Sequence, residues 1–226
     1  MAYKKVFVAG GSKGVGRAII DKLVEQGSEV VALVRREDAK NELESIAGVR
    51  AVLCDALDLK GVENALDGCD AAITTLGGAP DGDEQKRVDY VGNRNVIESA
   101  GILGITRVLM VTSVGCGDSR EAISDQVYQV LENALKAKTL AENMLLKYYT
   151  NSEWTIIRPG GLQTHPATRM ALVTEDTRAS GIIHREDVAD LAVQALKSPR
   201  TLRKILTAVD PSLNDSPRES IAAFEL

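Results

Sequence analysis

Val6-Phe7-Val8-Ala9-Gly10-Gly11-Ser12-Lys13-Gly14-Val15-Gly16-Arg17-Ala18-Ile19-Ile20 is the stretch on which the fold of this chain turns. An unbroken apolar run opens it, as in a strand covered on both faces, and glycines follow at once. Beyond them Ile19, Ile20, Leu23 and Val24 recur at helical spacing, with Gly27 as the expected terminator. Strand, glycine-rich turn and helix, in that order, supply what a dinucleotide pyrophosphate needs. The turn lets backbone approach the phosphates, and the helix N-terminus presents free N–H groups with a partial positive charge. Gly10, Gly11, Ser12, Lys13, Gly14, Val15 and Gly16 are therefore the expected pyrophosphate-binding residues. A tight turn with no ligand is the plainer alternative, and the position at the head of an α/β pattern speaks against it.

Outward from this turn, apolar runs rich in valine and isoleucine recur at Tyr3–Ala9, Glu29–Arg35, Val49–Leu53, Asp70–Leu76, Arg107–Ser113, Trp154–Arg158 and Lys204–Val209. Helical patterns lie between them. The last long one carries Val188, Leu191, Ala192, Ala195 and Leu196 and is stopped by Ser198-Pro199. The alternation predicts an α/β fold, a single doubly wound parallel sheet of Rossmann type with small C-terminal elements that build a substrate cleft. The expected domain covers residues 1–210, and residues 211–226 form a polar tail, either a short packed helix or in part disordered. Residues 115–126 and 160–183 break the rhythm, and both start at the carboxyl ends of strands. Open α/β sheets bind their ligands there, so these segments are either the walls of a substrate cleft or variable surface loops.

Composition narrows the function. A chain of 226 residues suffices for one sizeable core. A net charge of -5 leaves no basic excess for a nucleic acid. No apolar run approaches the roughly 20 residues that cross a bilayer, and the first strand begins with no signal region before it. The expected place is the cytoplasm, or an organelle stroma if a transit peptide has been removed. Cys54, Cys69 and Cys116 form no CxxC pair and suit a reducing compartment. His165 and His184 are the only histidines, neither has ligand-spaced partners, and no metal is expected.

In a dinucleotide fold the second strand ends beside the adenine ribose, where an acidic residue accepts from the 2′-hydroxyl and favours NAD. Here that place holds Leu33-Val34-Arg35-Arg36, with no carboxylate before Glu37. A guanidinium grips a 2′-phosphate with paired donors, and Lys13 adds a further positive charge. NADPH (NADP+) is the expected cofactor, with Arg35 and Arg36 at the 2′-phosphate; the alternative is that these cations are only solvated surface charges. Asp55, just past the third strand, is placed to meet the adenine amino group, with Asp58 competing for that role. Leu76-Gly77-Gly78 offers bare backbone where the cofactor lies against the sheet, although Gly78 is equally explicable as a turn residue.

Taken together, the GGSKGVG turn, Cys54-Asp55, Thr75-Leu76-Gly77, Val111-Thr112-Ser113, Lys138 with Glu142, and Trp154-Thr155-Ile156-Ile157-Arg158-Pro159-Gly160-Gly161 resemble the short-chain dehydrogenase/reductase superfamily, over roughly residues 3–210. More narrowly they look like its atypical branch, with NmrA-like regulators, biliverdin-IXβ/flavin reductases and Tic62-like chloroplast proteins. Gly10, Gly14 and Gly16 match the TGxxxGxG form of the main branch, whereas many atypical members carry glycine where Lys13 sits. The resemblance implies Ser113 and Lys138 as catalytic positions that also meet the cofactor, and Pro159 and Gly160 as cofactor-facing backbone. Ser113 polarising an acceptor competes with Ser113 bonding its own loop. Lys138 on the nicotinamide ribose competes with an i,i+4 surface pair to Glu142. Arg158 is expected as an ion-pair partner, and Asp187, next to His184, as a cap on the last long helix.

The family's Tyr-x-x-x-Lys puts a proton-donating tyrosine four residues before the lysine, and that position holds Ala134. The tyrosine protonates a carbonyl oxygen as hydride arrives, and alanine has no proton to give. Tyr128, Tyr148 and Tyr149 fall off the spacing, with Tyr128 able to reach the cleft from the preceding loop. A conventional alcohol dehydrogenase or ketoreductase is disfavoured. The expected function is an NADPH-binding oxidoreductase that transfers hydride to a conjugated small-molecule acceptor (flavin, quinone or tetrapyrrole-like) whose proton comes from water. Leu162, Met170 and the 115–126 loop are the expected walls of the acceptor site. The alternative is a non-catalytic NADPH-binding redox sensor or assembly scaffold, with a protein partner. An epimerase acting on a sugar nucleotide is the weakest reading, because such relatives need the tyrosine and a longer C-terminal domain.

Overall fold

The structure, a computed structural model, describes residues 3–78, 83–213 and 221–226. Its strands are β1 (Lys5–Ala9), β2 (Glu29–Val34), β3 (Val49–Leu53), β4 (Ala71–Thr74), β5 (Arg107–Val111), β6 (Glu153–Pro159), β7 (Gly161–Gln163), β8 (Leu172–Thr174), β9 (Ile182–His184) and β10 (Lys204–Val209). Between them run the helices α1 (Gly14–Glu25), α2 (Glu37–Glu44), α3 (Leu59–Leu66), α4 (Val91–Ile102), α5 (Asp125–Tyr148) and α6 (Arg185–Lys197). The main sheet has the order β3-β2-β1-β4-β5-β6-β10-β8, parallel throughout except for the antiparallel pair of β10 with the edge strand β8. This is the doubly wound α/β sheet that the alternating pattern predicts. The stretch 70–76 contributes only Ala71–Thr74, because Thr75 and Leu76 leave the sheet to line a cleft.

Side chains of each central strand alternate between two cores, as a sheet covered on both faces requires. Val6 and Val8 pack with α1 and α6, among them Ile19, Ile20, Leu23, Val188 and Ala192. Phe7 and Ala9 face the other way, onto α3, α4 and α5, where they meet Val62, Leu66, Val96 and Leu145. Gly27 ends α1 as expected. At φ +82° it lets the Gly27 N–H reach Val24 O at 2.9 Å and the Ser28 N–H reach Leu23 O at 3.0 Å, a Schellman closure. At the far end of α6 the buried Arg107 guanidinium donates to the carbonyls of Ala195, at 2.7 Å, and Leu196, at 3.0 Å, and the Ala195 carbonyl also accepts from Thr201 Oγ1 at 2.6 Å. Burial pulls the pKa of that guanidinium down.

The segment 160–183, expected as irregular, contains two short pieces of sheet. β7 lies parallel to β9, with Leu162 opposite Ile183, and β8 closes the edge. Three-residue strands are too short for alternation to register in the sequence. Gly160 belongs to this crossing. A Cβ there would stand 2.3 Å from the Gly181 carbonyl oxygen. Of the expected tail, residues 214–220 lie outside the described residues. The end of the chain returns to the sheet, where the Phe224 N–H donates to Val173 O at 2.7 Å. Among the described residues no helix is long and apolar enough to cross a membrane, and no cluster of His, Cys, Asp or Glu is placed to hold a metal.

Candidate functional site

Strand order reverses between β1 and β4, so successive connections leave towards opposite faces and a crevice opens at the carboxyl ends of the two strands. A cleft of about 900 Å³ lies there. The expected residues Gly10, Ser12, Lys13, Gly14, Val15, Gly16, Arg35, Leu76, Gly77 and Gly78 all line it. The turn is built for close approach. A Cβ on Gly16 would stand 2.3 Å from Gly10 O and 2.6 Å from Thr75 Oγ1. Gly10 itself has φ +86° and would crowd the same hydroxyl at 2.6 Å. Thr75 Oγ1 lies 3.2 Å from Ala9 O and 3.3 Å from Gly10 O, pinning the end of β4 to the turn. Gly11 is buried beneath the turn, its bare Cα facing Ile20, and is not part of the cleft wall.

Electrostatics distinguish this cleft from an ordinary surface groove. Among the described residues its charged lining residues are Lys13, Arg35 and Arg185, with no carboxylate among them, on a chain whose net charge is -5. Among the described residues none of these cations is in an ion pair. Two sequence expectations are corrected. Arg36 does not line the cleft, because its Nε pairs with Asp38 Oδ1 at 3.0 Å in solvent. Asp55 turns its carboxylate back to accept the Leu57 N–H at 3.0 Å, leaving Cys54 and Ala56 as the wall. Asp58, its competitor, caps α3 by accepting from the Lys60 and Gly61 N–H groups.

A second cavity of about 430 Å³ lies beside the cleft, lined by Ser113, Ile123, Val127, Leu131, Pro159 and Gly160 among others. Leu162 belongs to both cavities. Among the described residues no Asp, Glu, Lys, Arg, His, Cys or Tyr side chain lines the second one. Met170, expected in this wall, is instead 64% exposed and outside it. Ser113 takes the local option, its hydroxyl donating to Val114 O at 2.9 Å.

Lys138 and Glu142 do not pair. Lys138 Nζ donates to Leu76 O at 2.9 Å and lies 3.4 Å from Asp89 Oδ1, so α5 is tied to the cleft floor. Asp89 is 1% exposed and also accepts from Arg87 at 2.8 Å and from the Gly78 N–H at 3.0 Å. Sequence reasoning missed it, since nothing around Arg87-Val88-Asp89 signals a site locally. Glu142 is buried instead against β6, where it accepts from Arg158 Nη2 at 2.7 Å and from Thr112 Oγ1 at 2.7 Å. Burial disfavours the charge on Arg158, but Glu142 and Asp118 outweigh it and raise its pKa. Arg158 is thus the ion-pair partner that the sequence suggested.

Ala134 lies at helical spacing with Val127, Leu131 and Lys138, so the stripe that would carry tyrosine and lysine is apolar up to Lys138. Tyr128 does not replace the missing acid. Its ring sits under the Arg120 guanidinium at 3.9 Å and lines a separate cavity with Leu135 and Thr139. Asp187 does not cap α6 either. Its carboxylate leaves the helix to accept the N–H groups of Thr168 and Arg169, each at 2.9 Å, and so holds the loop before β8. The buried thiols are raised, Cys69 to about 11 and Cys116 to about 12, chiefly by burial.

A glycine turn at the switch point of a doubly wound sheet, under a cationic cleft, defines a dinucleotide-binding protein of the Rossmann class. Residues 10–199 match the family described as NAD(P)H-binding, and the chain belongs to that family, with the fold and motifs of an atypical short-chain dehydrogenase/reductase. It is 32% identical over 220 residues to YhfK of Bacillus subtilis, described as an uncharacterized sugar epimerase, covering 94% of this chain and 96% of the relative. It is 28% identical over 235 residues to sanguinarine reductase of Eschscholzia californica, covering 85% and 84% respectively. Among solved structures it is similar to ChuY, described as an anaerobillin reductase from Escherichia coli O157:H7, with a TM-score of 0.84 and 31% identity over 94% of this chain and 100% of that one.

Proposed function

We propose that this protein is an NADPH-dependent reductase of a conjugated, largely apolar small molecule, and that no side chain acts as the acid. The observation that carries this reading is the cavity beside the cleft, which shares Leu162 with it and is lined by no titratable side chain among the described residues. Bound NADPH supplies a hydride, and an acceptor that spreads the resulting charge over a π-system takes its proton from water. The chain's own residues then bind and position. Arg35 and Lys13 hold phosphate, and the bare backbone of Gly10, Gly16, Gly77 and Gly78 admits the dinucleotide. Lys138 fixes the Leu76 carbonyl and with it the cleft floor. Ser113, by turning its hydroxyl away from Val114, reaches the acceptor or the nicotinamide. Val127, Leu131 and Leu162 offer an apolar surface to a flat acceptor. The relatives named as reductases of sanguinarine and of anaerobillin support this direction over a sugar epimerase.

The test is NADPH oxidation by the purified protein with FMN, a quinone and biliverdin as acceptors, with cofactor binding titrated alongside. Turnover on one of these that survives Tyr128→Phe is the expected result. Tight NADPH binding with no turnover on any acceptor would instead make the protein a sensor or scaffold.

A further inference from the structure

Arg185, the first residue of α6, escaped the sequence reading, yet it lines the same cleft as the glycine turn. Its side chain reaches over that turn. A Cβ placed on Gly14 would lie 3.7 Å from both Cδ and Nε of Arg185, with nothing else in reach. Its Nη1 donates to Thr164 Oγ1 at 2.7 Å, on the residue that follows β7. Three arginines outside the cleft lining are matched with acids, Arg17 with Asp21 and Glu42, Arg36 with Asp38, and Arg158 with Glu142. Arg185 is half-buried and, among the described residues, is in no ion pair. A partly desolvated guanidinium whose partner is a neutral hydroxyl, in a cleft with no carboxylate among the described lining residues, keeps N–H donors for an anion.

We propose that Arg185, steadied by Thr164, grips the diphosphate of the dinucleotide from over Gly14 of the glycine turn. The inference rests on the dinucleotide-binding reading of the cleft. It also separates the cations by task. Arg35, after β2, serves the 2′-phosphate end, and Arg185, against Gly14, serves the diphosphate.

Competition binding with NADP+, ADP-ribose and 2′-AMP tests it, because ADP-ribose has the diphosphate without a 2′-phosphate and 2′-AMP has the reverse. Arg185→Ala is expected to weaken NADP+ and ADP-ribose by about tenfold or more while leaving 2′-AMP unchanged. Arg35→Ala is expected to spare ADP-ribose and weaken the other two. Arg185→Lys should fall between, since an ammonium keeps the charge but loses the paired donors, and it carries the same comparison if Arg185→Ala does not fold. Unchanged ADP-ribose binding in Arg185→Ala, or an equal loss for 2′-AMP, would overturn the assignment while leaving the dinucleotide reading intact. Failure of the wild-type protein to bind NADP+ or ADP-ribose would overturn both.

Discussion

Arg35 stands just past β2 in the cleft lining and, among the described residues, is in no ion pair, while its neighbour Arg36 is spent on Asp38. A charge-assisted contact to phosphate is worth about 1.5–3 kcal/mol, so Arg35→Ala should weaken NADPH by about tenfold or more and leave NADH nearly unchanged. Fluorescence titration with each cofactor checks this, and equal losses for both would remove the 2′-phosphate assignment. Arg35 and Lys13 were legible in the sequence because each follows a strand at a position that the fold fixes. Arg185 and Asp89 were not. Arg185 reaches the cleft from α6, far along the chain from the glycine turn, and Asp89 acts behind the cleft wall through the Gly78 N–H and Lys138, and no local pattern records such packing. The same holds for Glu142, whose i,i+4 spacing from Lys138 looked like a surface pair, whereas the packing of α5 on β6 turns it inward to Arg158.

At the scale of elements, the glycine turn and α1 act as one unit, because helix and turn touch where Gly16 has no side chain. Gly16→Ala would drive a methyl group to within 2.3 Å of the Gly10 carbonyl, and the neighbour is backbone that cannot swing aside. The expected cost is about 1–3 kcal/mol of stability with loss of NADP+ binding, read from a denaturant titration and a binding isotherm on the same variant. The cleft-facing stripe of α5 is a second unit. Leu131→Asp would place a charge in a cavity that has none. It should raise KM for the acceptor several-fold and leave the Kd for NADPH unchanged. An unaltered KM would move the acceptor away from this wall. The strands of the central sheet announced themselves by continuous apolar runs, as did the switch point between them. β7 and β9 did not, being short and held by each other and by the close passage at Gly160 and Gly181.

Across the whole molecule, the two buried thiols tie stability to alkaline pH. In the unfolded chain they ionise near 9, whereas in the fold Cys69 holds its proton to about 11 and Cys116 to about 12. Both folded values are raised, so their contribution to stability is complete below pH 9 and is lost as the pH climbs through the folded values. Melting temperature should therefore drop above pH 9, and Cys69→Ala should make that decline shallower. A parallel decline in the variant would assign the alkaline loss to other groups.

Leu162 is a wall shared by two cavities, the dinucleotide cleft and the one proposed above for the acceptor. Whatever position that side chain takes when the first cavity fills becomes part of the shape offered by the second. Such a hinge of common surface is a thermodynamic linkage. If the bound dinucleotide tightens the partner's affinity by some factor, the partner tightens the dinucleotide's by the same factor. An acceptor's affinity for the loaded protein then differs from its affinity for the empty chain by that same factor.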